Sequence, residues 1–125
     1  FDPRHIVALP EEIRGEVHVA NETAAKLTSP QFSARRLQFD VETATPAMVT
    51  VAQTFYYPWH AYVDGKSVPL WRANHAFQAL EVPAGKHSVS LVYEDRQFFA
   101  GAIVSVASLL ICAVTWFWFR PKSAV

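Results

Sequence analysis

Leu37, Phe39 and Val41 alternate with Arg36, Gln38, Asp40 and Glu42, the period of two that a strand with one buried face imposes. Val49, Val51 and Phe55 carry the alternation onward after a break at Thr45 and Pro46. Between Val63 and Lys66 stand Asp64 and Gly65. An Asp-Gly pair supplies the positive φ angles of a tight turn, so residues 62–68 predict a hairpin. A second turn, Pro83-Ala84-Gly85-Lys86, separates an apolar run over 77–82 from another over 87–93. Within the latter, Val89, Leu91 and Tyr93 face one way and Ser88 and Ser90 the other. Residues 6–9 and 16–20 are shorter strand candidates, and helix is expected before residue 95 only as short pieces, over 10–14 or 21–26. About seven or eight short strands divided by turn residues predict an antiparallel β-sandwich from about residue 5 to 93, with hairpin tips at Asp64-Gly65 and Ala84-Gly85.

The pattern changes at residue 98. Residues 98–119 read FFAGAIVSVASLLICAVTWFWF, with no charge and only Ser105, Ser108 and Thr115 as polar side chains. At ~1.5 Å per residue this makes a helix of roughly 33 Å, long enough for a hydrocarbon core of roughly 30 Å. The hydroxyls can return their bonds to their own helix, which keeps them tolerable in lipid. A buried core helix is the competing reading. It fails because the preceding domain is too small to surround a helix that is apolar on every face. A removable anchoring signal would need a processing motif, and no LPxTG-like pentapeptide or small-residue cleavage triplet with a polar spacer precedes the run. The expected organisation is a β domain over 1–97, a transmembrane helix over 98–119 and a short tail over 120–125. The linker over 94–97 is too short to let the domain travel far from a bilayer. Gly101, Ala102, Ser105 and Ala107 are small enough for close packing against other helices.

Charge then sets an orientation. Eleven Lys and Arg balance eleven Asp and Glu, which argues against a nucleic-acid partner, since that needs a clustered basic face. Every acidic residue lies at or before Asp95, while Arg120 and Lys122 follow the apolar run. Trp116 and Trp118 crowd the same end, where indole rings favour the headgroup zone. Positive charge marks the cytoplasmic side, so the tail is expected inside and the β domain outside. The single cysteine, Cys112, lies inside the run and has no internal disulfide partner. The chain opens on Phe1 with no apolar leader ahead of its polar region, and it is therefore expected to be a piece of a longer membrane protein.

Candidate chemistry is sparse. His5, His18, His60, His75 and His87 are scattered, without an i,i+4 pair or a nearby cysteine to make a metal spacing. Asp64 reads as the acid of its turn and His87 as turn support, with ligation or catalysis the weaker alternative. No phosphate loop, nucleophile motif or carboxylate pair is recognisable. Asn21-Glu22-Thr23 fits a glycosylation sequon, a short pattern that arises often by chance. The aromatic stretch is more informative: Phe55, Tyr56, Tyr57, Trp59 and Tyr62 cluster, with Trp71 beyond the hairpin. Such rings stack on sugars and suit a bilayer interface, and they equally supply the core of a small sandwich. Tyr57, Trp59, His60 and Trp71 are the candidate substrate contacts. Core packing remains open for each of the rings.

The run Thr54-Phe55-Tyr56-Tyr57-Pro58-Trp59-His60-Ala61-Tyr62-Val63-Asp64-Gly65-Lys66 resembles the "YYPGWkAyvDGk" signature of YfhO-like bacterial membrane proteins. Val82-Pro83-Ala84-Gly85-Lys86-His87-Ser88-Val89 is similar to its companion "vpaGkHtV". A strand ending in Tyr93, then Gly101 and a final span, follow in the family's order, and Asp2-Pro3-Arg4 resembles the start of its C-terminal domain. One departure is that Pro58 precedes Trp59 where the family carries glycine, so a role resting on that glycine is not carried over. The resemblance implies a relative of GT-C integral membrane glycosyltransferases, multi-pass enzymes that move sugars from polyprenyl-phosphate carriers onto cell-envelope acceptors. Their catalytic acid is expected in a first extracytoplasmic loop that this chain does not contain. No catalytic residue and no cofactor is therefore assigned here.

Two functions of different class are carried forward. In one, the chain is the accessory extracytoplasmic domain and last span of a membrane glycosyltransferase. Its partners are then the lipid bilayer, upstream transmembrane helices of the same polypeptide and a polyprenyl-linked sugar, and its location is the bacterial inner membrane. In the other, it is a non-catalytic tethered ectodomain that binds a glycan or a protein. An upstream reading frame with about ten or more apolar spans favours the first, and a lone signal sequence favours the second.

Overall fold

A computed structural model describes residues 6–19 and 23–120. After a 3-10 turn at Glu11–Ile13, eight strands follow: β1 (Ala25–Phe32), β2 (Arg36–Thr43), β3 (Ala47–Val51), β4 (Trp59–Val63), β5 (Lys66–Val68), β6 (Trp71–Ala73), β7 (Phe77–Val82) and β8 (Gly85–Tyr93). One helix, α1 (Arg96–Trp118), closes the described chain. All strand pairs are antiparallel. They form a five-stranded sheet in the order β1-β2-β8-β4-β5 and a three-stranded sheet in the order β3-β7-β6.

The alternation in β2 is realised without exception: Leu37, Phe39, Val41 and Thr43 are buried and the residues between them exposed. Register then stacks like with like. Phe39 lies opposite Val89 and Leu37 opposite Leu91, while Ala61 and Val63 of β4 flank β8 on its other side. Val49, Leu80 and Val82 of the small sheet pack with them in one core that also contains Trp59. Each such Val or Leu contributes about 1.5–3 kcal/mol over its exposed state. This is the antiparallel sandwich that period-two patterning predicts.

The small sheet is covered on its other face as well. Trp71 and Ala79 are register partners on that face, and both are buried together with Ala73. The N-terminal segment covers them as an irregular strap. Ala8 N–H donates to Asn74 Oδ1, and Asn74 N–H returns a bond to the Ala8 carbonyl, each 2.8 Å. The strand candidates over 6–9 and 16–20 are thus not strands among the described residues: Ala8 pairs with Asn74 in a turn and the His18 N–H donates to the Glu81 carboxylate at 3.4 Å, outside any ladder; Ala20 lies outside the described residues. The helix candidate over 10–14 is only the 3-10 turn. Of the candidate over 21–26, Asn21 and Glu22 (with the sequon they begin) lie outside the described residues, and Ala25 and Lys26 belong to β1.

Three further differences have physical causes. β1 carries no period-two signal because all its residues are exposed. It is an edge strand, where Pro30 is tolerated, and its register slips between Thr28 and Gln31 around Ser29 at φ 54°. β3 stops at Val51, and Phe55 lies in a loop with its N–H on the Ala76 carbonyl at 2.6 Å. Finally, the turn at Ala84-Gly85 closes no hairpin. β7 and β8 belong to different sheets, so that turn carries the chain across the sandwich.

α1 is capped by Asp95, whose carboxylate accepts the Phe98 N–H at 2.9 Å. It is long and apolar enough to cross a membrane. Ser105, Ser108 and Thr115 each donate to a carbonyl of their own helix, at 2.9–3.0 Å. Cys112 is a free, exposed thiol. The helix and the sandwich are two separate compact units, divided between Glu94 and Asp95.

Candidate functional site

The loop between β3 and β4 is folded by its own turn. Trp59 N–H donates to the Tyr56 carbonyl at 3.0 Å, around Tyr57 and Pro58, whose ring presets one φ of the turn. Rings emerge from this loop in contact with one another. Phe55 and Tyr57 meet edge-on at 5.8 Å between centroids, and Tyr56 lies parallel to Tyr93 at 6.5 Å. Tyr57 is 86% exposed and Tyr56 56%. Exposed rings held this way suit contact with a ligand better than a core.

Beside the loop runs a cleft of about 380 Å³, within the range of small-ligand sites. Phe55, Tyr56 and Tyr57 form one wall, Leu70, Trp71 and Arg72 a second, and Pro10 and Ile13 of the strap a third. The Trp71 indole N–H donates to Glu16 Oε2 at 3.4 Å, which ties the strap to that ring. Aromatic faces beside one guanidinium can stack on a sugar ring and pair with an anionic substituent.

Two of the four candidate contacts, Tyr57 and Trp71, meet at this cleft. The other two do not. Trp59 is buried in the inner core, edge-on to Tyr93 at 5.6 Å. Its neighbour His60 points from the opposite, exposed face of β4, as strand alternation requires. Arg72, Pro10 and Ile13 were not singled out from the sequence. Arg72 lies next to Trp71 on a strand of three residues, too short for alternation to reveal its direction. The strap residues reach the cleft through contacts distant in sequence, which leave no local pattern.

The two turns with family-like sequences meet elsewhere, at the end of the large sheet remote from Tyr93. Asp64 and Gly65 adopt φ 51° and 77°, the type I′ geometry of a two-residue hairpin loop between Val63 and Lys66. Asp64 Oδ1 accepts the Ser88 N–H at 2.9 Å, and Oδ2 lies 2.6 Å from His87 Nδ1. His87 Nε2 reaches the Ala84 carbonyl at 3.1 Å. The carbonyl and the carboxylate only accept, so the two contacts are satisfied together only when both ring nitrogens donate, which favours the protonated imidazole. The bond to Asp64, and then that to Ala84, raise the His87 pKa above its ordinary value. The His87 bond, followed by the Ser88 N–H, lowers that of Asp64. In that form both ring protons are engaged, and the side chain ties the two turns together. Among the described residues no cluster of His, Cys, Asp or Glu could hold a metal ion.

Residues 10–105 match the family described as bacterial membrane protein YfhO. The match takes in every strand and the first part of α1. No curated protein and no solved structure matches the chain.

Proposed function

The chain belongs to the YfhO family of bacterial membrane proteins, and from that premise we propose that it is the accessory extracytoplasmic domain and last span of a membrane glycosyltransferase. The parent enzyme uses a polyprenyl-phosphate-linked sugar to glycosylate cell-envelope acceptors, and its catalytic groups lie outside this chain. The domain faces out of the inner membrane, and the tail with Arg120 and Lys122 lies in the cytoplasm.

One observation carries this reading. The aromatic cleft opens beside the Tyr56–Tyr57 loop, whose next strand starts at Trp59, opposite Tyr93. The cleft therefore adjoins the strand end whose chain continues into the apolar helix. Tyr57 stacks on the lipid-linked sugar, Trp71 and Phe55 line its apolar side, and Arg72 meets the phosphate.

The test is a Tyr57→Ala substitution in the full-length protein. Loss of one stacking ring worth about 0.5–1.5 kcal/mol lowers sugar transfer roughly two- to tenfold. Unchanged transfer by a folded variant would refute the role of the cleft. The alternative, a tethered ectodomain that binds glycan without catalysis, instead leaves the full-length protein without transfer activity while Tyr57→Ala weakens glycan binding.

A further inference from the structure

We propose that the sandwich carries a lipid-binding foot, formed by the β1–β2 turn with Phe32, Arg35 and Arg36 and by Tyr56 and Tyr57, that seats on anionic headgroups of the leaflet entered by α1. The proposal rests on α1 crossing the bilayer; it shares Tyr57 with the cleft, and its test reads lipid contact at Ala34 and not sugar transfer, so the two can fail separately.

The strand register brings these residues to one end of the sheet. Phe32 lies opposite Leu37, and Leu37 opposite Leu91; Arg36 lies opposite Val92. The next residue of β8, Tyr93, donates its N–H to the Arg35 carbonyl at 2.9 Å. On the other side of β8, Glu94 N–H donates to the Pro58 carbonyl at 2.7 Å. Two turns thus flank the exit of β8, each fixed to it by a backbone bond. Glu94 alone separates β8 from Asp95, the helix cap. With ~3.3–3.6 Å per extended residue and ~1.5 Å per helical one, the end of β8 lies within roughly 15 Å of Phe98, where the uncharged run begins. So short a tether leaves both turns, which flank the exit of β8, within reach of the headgroups.

Their chemistry fits the place. Phe32 is 77% exposed, a large ring in water on an edge strand that has no covering sheet. With Tyr56 and Tyr57 it makes three exposed rings, the residue type that collects at a membrane interface. Arg35 and Arg36 are both exposed. Among the described residues, Glu94 beside this end accepts from the Tyr62 hydroxyl at 3.4 Å and Asp95 caps the helix, so neither is paired with Arg35 or Arg36 by these bonds. Two guanidiniums beside exposed rings select an anionic surface over a zwitterionic one.

The experiment uses the full chain in lipid nanodiscs, with Cys112→Ser to leave one thiol. A fluorophore is placed at Ala34→Cys in the β1–β2 turn, or at Lys66→Cys at the opposite end of the sheet. In discs with one-third phosphatidylglycerol, a headgroup-attached nitroxide is expected to quench the Ala34 label at least fivefold more than the Lys66 label. Replacing phosphatidylglycerol by phosphatidylcholine, or introducing Arg35→Glu with Arg36→Glu, is expected to cut that quenching by half or more. Equal quenching at the two sites would overturn the proposal, as would quenching indifferent to lipid charge. So would an Ala34 label shielded from aqueous iodide yet unquenched by lipid, which points to a protein covering the turn. Both labelled positions are exposed, Ala34 in the β1–β2 turn and Lys66 at the start of β5, so neither disturbs the core.

Discussion

His87 Nδ1 lies 2.6 Å from Asp64 Oδ2, joining the β4–β5 hairpin turn to the crossover that carries the chain between sheets. The same Asp64 bonds Ser88 twice, its N–H donating to the Ser88 carbonyl at 2.8 Å and its Oδ1 accepting the Ser88 N–H at 2.9 Å. Asp64 thus belongs to its own turn and also fixes where β8 begins. The Asp-Gly-Lys and Gly-Lys-His segments resembling the family pattern are two halves of this one tie.

Stability should follow the charge of this pair. His87 has a pKa raised above 6.5, so its contribution is complete below that value and is lost as pH rises through the raised one. Asp64 has a pKa lowered below 3.8, so its contribution holds above that value and is lost as pH falls through the lowered one. The tie is therefore strongest between those two ordinary values and weakens toward alkaline pH. Thermal unfolding of the reconstituted chain is expected to show a lower midpoint at pH 8.5 than at 5.5. His87→Gln should remove most of that difference, and a variant that keeps it would discredit the tie.

Gly85 is a second handle on the same region. Its φ of 118° is strained for any side chain, and a Cβ there would sit 3.3 Å from His87 Nε2. Gly85→Ala is expected to destabilise the sandwich by about 1–2 kcal/mol. Gly101, in the helix, has nothing within 4 Å of an added Cβ, and Gly101→Ala should leave the sandwich unaffected. Denaturant midpoints measured side by side would check the contrast.

The sequence discloses what is periodic and hides what is reciprocal. β2 and β8 were legible because each has one buried face, and a buried face writes itself as alternation; β4 and β5 showed only through the Asp-Gly turn that joins them. α1 was legible because lipid demands an uninterrupted apolar run. β1 was hidden by its exposure and by Pro30. The strap was hidden because Ala8 and Asn74 have no relation in sequence beyond the bonds they exchange. In the candidate site, the aromatic cluster was visible, but its division between cleft and core depended on where β4 begins. Once Trp59 is the first residue of the strand, alternation sends it inward and His60 outward. Pro58 signalled a turn without fixing that register.

The strap depends on Asn74. Its side chain and main chain hold Ala8 by two bonds of 2.8 Å, and it tolerates φ 47° better than most residues would. Asn74→Ala removes one bond and adds strain, for a cost of about 1–3 kcal/mol. Most of that cost should appear as local release of the strap. Trypsin cleavage after Arg14 is expected to accelerate by an order of magnitude while circular dichroism of the sheets stays constant. An unchanged cleavage rate would show that Asn74 is not what holds the segment.

Orientation has its own test. An uncharged span followed by Arg120 and Lys122 is expected to leave the tail in the cytoplasm. A reporter active only in the cytoplasm should work when fused after Val125, and Lys66→Cys should react with an impermeant reagent in intact cells. Reaction only after lysis would reverse the assignment.

The sharpest contrast lies between two rings two residues apart. Trp59 is 8% exposed and packs among the core residues of both sheets, whereas Tyr57 is 86% exposed. Trp59→Ala empties a large aromatic site and should cost roughly 3–5 kcal/mol, enough to unfold a sandwich of ordinary marginal stability. Tyr57→Ala removes only an edge contact with Phe55 and should shift stability by no more than about 0.5–1 kcal/mol. Any loss of sugar transfer in the Tyr57 variant then reports a lost surface contact and not a lost fold. Unchanged quenching of the Ala34 label in the same variant would assign that contact to substrate instead of lipid. In the Trp59 variant the same loss would carry no such meaning. Near-ultraviolet circular dichroism on both proteins, measured before any assay of function, separates the cases. A folded Trp59→Ala chain would show that the inner core does not depend on that indole.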